Sequence, residues 1–88
     1  MTEAQHHTQQ LLDLDIALEY AKREYPDAYY TAEEFPHKRS YQTRADNYWS
    51  VYQNLIRHAQ ELVKNPFYVQ FIDAQIMPNI VKIQKGVK

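Results

Sequence analysis

Along the first third of the chain, Ala4, His7, Leu11, Leu14, Leu18, Ala21 and Tyr25 recur at alternating spacings of three and four. That is a heptad seam, broadened by Leu12 and Ile16, and it predicts a helix over about 2–25. Thr2 and Gln5 stand in the relation of a capping box, in which hydroxyl and amide each satisfy a backbone donor at the helix start. Tyr25 precedes Pro26, and the residue before a proline is pushed out of the α region, so the helix is expected to stop there. Residues 26–35 then read as a linker carrying Tyr29, Tyr30 and Phe35. Thr31 to Glu34 repeats the capping pattern, but Pro36 would sit inside any helix begun at Thr31.

The second helix is therefore expected over about 36–64, with Pro36 in its first turn. Tyr41, Ala45, Tyr48, Tyr52, Leu55, Ala59 and Leu62 form its seam, and Trp49, Ile56 and Val63 widen it on one side. Asn65 and Pro66 end it and begin the next, as N-cap and first helical residue. A third helix is expected over about 66–84, with Val69, Ile72, Ile76 and Ile83 along one stripe. Pro78 interrupts it and should kink or break it. A strand at 80–83 would have no ladder partner in the chain. Residues 85–88 read as a frayed tail. The fold class is all-α: an antiparallel three-helix bundle whose regular seams leave open the completion of a larger bundle by dimerisation.

At 88 residues the chain suits one domain rather than two. It has no cysteine and one glycine, Gly86. Disulfides and thiolate metal sites are thereby excluded, and so are P-loops, dinucleotide fingerprints and nucleophile elbows, which need glycines at fixed positions. The net charge of −1 argues against non-specific nucleic-acid binding. Its distribution is uneven, with an acidic excess over 1–36 and a basic excess over 37–88. Opposite charge of this kind suits packed antiparallel neighbours, and it also makes a dipole that can steer a partner. No leader-like apolar stretch and no membrane-length apolar run is present, so the cytoplasm is the expected compartment.

Catalytic and metal-binding patterns are weak. His6 and His7 are adjacent and diverge by about 100° on a helix, and neither His37 nor His58 belongs to a ligand-spaced motif. Asp13 and Asp15 fall on different faces, and no glycine accompanies Ser40 or Ser50 to form an oxyanion hole. No metal, cofactor, small-molecule substrate or enzymatic activity is expected. Tyrosine is the departure from the ordinary, at eight residues. Tyr48 and Tyr52 read as lining the core. Tyr29, Tyr30 and Phe35 read in two ways: as a lid on the end of the bundle, or, with Tyr41 and beside His37, Lys38 and Arg39, as the aromatic and cationic composition of a protein-contact surface. Such rings can also stack single-stranded nucleic acid, which the acidic balance disfavours.

Glycine-poor helical bundles of this length occur among bacteriocin immunity proteins, phage-encoded inhibitors and regulatory adaptors, a likeness of size and architecture that no motif carries. The expectation is a non-catalytic protein acting through protein contact, as an adaptor or self-associating module. The runner-up is an immunity-type or phage-type inhibitor sequestering one target, with a membrane surface as one setting. Nucleic-acid binding through the basic second half comes last.

Overall fold

The computed structural model describes residues 2–86. It is all-helical: α1 spans Glu3–Glu34, α2 Arg39–Lys64, α3 the single turn Pro66–Val69, and α4 Pro78–Gly86. Helices α1 and α2 fold back on each other as a long hairpin. At a rise of about 1.5 Å per residue, the 32 residues of α1 are about 48 Å long, and the longest dimension of the molecule is 50 Å. No helix among the described residues is long and apolar enough to cross a membrane.

The capping box at Thr2 is formed: the Gln5 amide nitrogen donates to Thr2 Oγ1 at 3.2 Å and the Thr2 nitrogen to Gln5 Oε1 at 2.9 Å. Against expectation, α1 does not end at Tyr25. Pro26 sits inside it, and residues 26–34, read from sequence as linker, are its last turns. The proline deprives the Lys22 carbonyl of its helical donor, but Lys22 and Pro26 are both exposed, so water can take that place. The seam meanwhile continues beyond it to Ala28, which is buried. The connection shrinks to 35–38, and α2 begins at Arg39 rather than Pro36. Lys38 N donates to the Phe35 carbonyl and Gln42 Nε2 to that of Pro36, which together shape this short turn.

The third helix, expected over 66–84 with a kink or break at Pro78, is broken rather than kinked, and the gap begins well before the proline. Asn65 caps a single turn by accepting from Phe67 N at 3.0 Å, and the chain then leaves helical geometry until Pro78. Asp73 builds the intervening turn, its carboxylate accepting from Gln75 N and its carbonyl from Met77 N. Pro78 opens α4, where its missing N–H costs nothing. Ile80 and Ile83 are in this helix, as the reading against a strand requires, and Lys85 and Gly86, expected to belong to a frayed tail, are instead its last residues. Residues 87 and 88, part of the expected frayed tail, lie outside the described residues.

The core lies at the end of the hairpin away from the α1–α2 connection. Leu11, Leu14 and Leu18 meet Ala59, Val63, Met77 and Ile80, with Phe71, Ile72 and Ile83 packed against them. His7, on the α1 seam, is enclosed by Phe67, Tyr68 and Phe71, with ring centroids 4.9–5.7 Å away. Towards the connection the buried seam thins to Ala21, Ala28 and Ala45, small side chains that let the two axes approach closely.

One polar device docks α4. Asp15, buried on α1, accepts from the backbone nitrogens of Asn79 and Ile80, both at 2.9 Å. Asn79 Nδ2 donates to Glu19 at 2.9 Å and reaches the second Asp15 oxygen at 3.4 Å. The carboxylate thus caps the first turn of α4 from another helix, where the helix dipole favours negative charge.

Candidate protein-contact surface

All seven residues singled out from the sequence gather at the closed end of the hairpin. Tyr29 and Tyr30 sit in the last turns of α1, Phe35 is its C-cap, His37 and Lys38 form the connection, and Arg39 and Tyr41 open α2. Tyr30 is 66 % exposed, Phe35 46 % and Tyr29 42 %, while Tyr41 is half-buried against Phe35 at 5.7 Å between ring centroids. His37, Lys38 and Arg39 are exposed, and none of them forms an ion pair among the described residues.

The aromatic band is wider than the sequence reading made it. Tyr29 lies 5.7 Å from Tyr30 and 6.0 Å from Tyr25, and Tyr25 is 5.1 Å from Trp49, which is 48 % exposed. Tyr25 was placed at a helix end by its proline, and Trp49 beside the α2 seam. The sequence signal for both was an aromatic at the seam's edge on each helix, readable only once the two helices are known to run alongside at that level. The Tyr29 hydroxyl is held above its ordinary pKa, chiefly by its hydrogen bond to Glu33. A shallow depression of about 660 Å³ lies beside it, bounded by Glu33, Pro36, Gln42 and Asp46.

Local helix chemistry at this end is unfavourable. Lys38 occupies the N-cap of α2 without a side-chain cap, Arg39 follows, and no acid lies in the first turn. Positive charge at the positive end of a helix dipole costs roughly 0.3–1 kcal/mol per group, and a missing cap about 1 kcal/mol.

Asp13 is exposed and Asp15 buried, on different faces of α1. Among the described residues no three His, Cys, Asp or Glu side chains converge as metal ligands would. Tyr48 and Tyr52, read as core-lining, are both half-buried. No protein-family model, curated protein or solved structure matches this chain.

Proposed function

We propose that this is a non-catalytic helical protein of the cytoplasm that acts by binding another protein through the closed end of its hairpin. In this reading, the base is a small antiparallel bundle that holds α1 and α2 rigid, and the far end presents the contact surface. A single observation carries it. Tyr29, Tyr30, Phe35 and Trp49, each more than 40 % exposed, share one end of the molecule with His37, Lys38 and Arg39. Partly buried rings beside unpaired cations have the composition of interface hot spots, and their ordering cost is low because the helices already fix them. The cations favour a partner whose surface is acidic. Adaptors and single-target inhibitors use such a surface alike.

Site-specific photocrosslinking in cells tests the proposal. A crosslinking residue at Tyr30 should yield a discrete protein adduct that is lost when Arg39→Ala and Phe35→Ala are added. The same residue at Arg57, exposed on α2 far from this end, should not yield it. Equal adducts at both positions, or none at Tyr30, would overturn the reading.

A further inference from the structure

The hairpin has two broad faces, and α4 covers only one. On the opposite face an apolar groove of about 550 Å³ runs between the helices, with Ala17, Tyr20 and Ala21 on the α1 side and Tyr48, Val51 and Leu55 on the α2 side. Tyr20 is 57 % and Val51 50 % exposed. Nearer the base, a second depression of about 330 Å³ lies between Asp13 of α1 and His58 and Leu62 of α2, with Tyr68 of α3 at its edge.

The molecule is larger than its mass requires. Its radius of gyration is 15.5 Å, where a compact chain of this length has about 12 Å. Its accessible surface is 6387 Å², roughly 900 Å² above the value for a compact monomer of 10.6 kDa. Stable interfaces bury about 800 Å² per partner. The surplus is thus of the size that one self-contact removes.

Charge identifies the occupant. On the open face Asp13 and Glu24 stand on α1 and Arg44 and His58 on α2, with Glu61, about five turns beyond the groove-lining Thr43, as an acid at the α2 edge. The two helices are matched in level: Arg44 Cζ lies 5.7 Å from the Tyr48 ring, which lies 6.5 Å from the ring of Tyr20, one turn from Glu24. Asp13 and His58 share the lower depression. We propose that a second copy of this chain covers the groove, related by a twofold axis parallel to the hairpin. That rotation keeps every residue at its own level and lays α1 of each copy antiparallel on α2 of the other. Arg44 then meets the partner subunit's Glu24, and His58 meets the partner subunit's Asp13, each pair occurring twice. Tyr20, Tyr48, Val51 and Leu55 form the apolar centre. The other face-to-face twofold, across the hairpin, would stack α1 on α1 and set acid against acid. Self-association of this kind is independent of what the closed end binds, but it places both closed ends at the same end of the assembly, so that a multivalent target is held with avidity.

Light scattering on the full chain, from micromolar to near-millimolar concentration, tests this. The mass should rise from 10.6 kDa towards twice that value. Val51→Lys should weaken association by about tenfold or more while leaving the circular dichroism of dilute protein unchanged. Arg44→Glu and Glu24→Arg should each do likewise. An equimolar mixture of those two variants should regain the dimer, because the introduced glutamate of one copy faces the introduced arginine of the other. Within either chain the like charges remain side by side, so only pairing between copies rescues. A wild-type mass of one chain at every concentration would overturn the proposal and leave the groove to a different protein. A dimer indifferent to Val51→Lys would overturn the assigned face. Folded variants that fail to rescue each other would overturn the pairing. Tyr30→Ala should leave the mass unchanged, which separates this interface from the closed-end contact.

Discussion

Asp15 is a carboxylate withdrawn from water and supplied with donors in return. Two backbone amides of the first turn of α4 and the Asn79 side chain are aimed at it. Removing the acceptor leaves those amides buried and unpaired, so Asp15→Ala should cost about 2–4 kcal/mol in urea denaturation. Asp15→Asn, which keeps an accepting oxygen without the charge, should cost roughly half as much. A loss below about 0.5 kcal/mol for the alanine variant would mean that α4 is held by its isoleucines alone. Glu19 adds a pH dependence. Its carboxyl is held below the ordinary value of 4.5, chiefly by the hydrogen bond from Asn79, with Arg23 and Lys22 adding to the effect. The folded state therefore binds this proton more weakly than the unfolded one. The stability so gained is complete above about pH 4.5 and disappears as pH falls through the lower folded value. Thermal melts should be steady at neutral pH and decline in acid, and Glu19→Gln should make that decline shallower. Identical acid limbs for the two proteins would refute the assignment.

At the scale of elements, Pro26 is the main point of tension. An interior proline costs about 3 kcal/mol relative to alanine, yet α1 runs eight residues past it. Pro26→Ala should therefore stabilise the protein by about 1–3 kcal/mol, raising the denaturation midpoint without changing the slope. A neutral or destabilising result would mean that the chain does turn at Tyr25. The helical class, the cap at Thr2, the start of α3 at Asn65 and the seam of α1 up to Tyr25 were all legible in the sequence, because each rests on interactions within a few residues. The continuation of α1 was not, although its trace was present: Tyr25, Ala28 and Ala32 keep the heptad spacing across the proline. Local breaker chemistry argued for a stop, and packing of Ala28 against the second helix overrode it. A kink or break at Pro78 was legible from the proline itself, but the length of the gap, from Gln70 to Met77, and the role of Pro78 as a helix start were not. Asp73 ties a turn locally, but the acceptor that lets Pro78 start a helix is Asp15, more than sixty residues earlier. The residues of the candidate contact surface could be read as exposed aromatics and cations, whereas Trp49 and the open groove needed the pairing of α1 with α2.

For the whole molecule, the uneven core implies uneven stability. The large buried side chains lie at the base, where α1, α2 and α4 meet, while the closed end of the hairpin is held by alanines and half-exposed rings. Opening the base exposes several leucines and isoleucines, each worth roughly 1.5–3 kcal/mol of burial. Opening the closed end exposes much less. Amide hydrogen exchange of the dilute protein should thus show its slowest exchange at Leu11–Leu18 and Ala59–Val63, and faster exchange at 27–34 and 40–46. Uniform protection along both helices would instead show that the hairpin opens as one unit. The concentration dependence carries further information. If a second copy covers the groove, the amides around Tyr20 and Val51 should gain protection as concentration rises, and those around Tyr30 should change less. A self-associated base with the large buried side chains and an aromatic far end with a thinner core would then be two regions of one hairpin, the first supplying stability and the second the surface for a different partner.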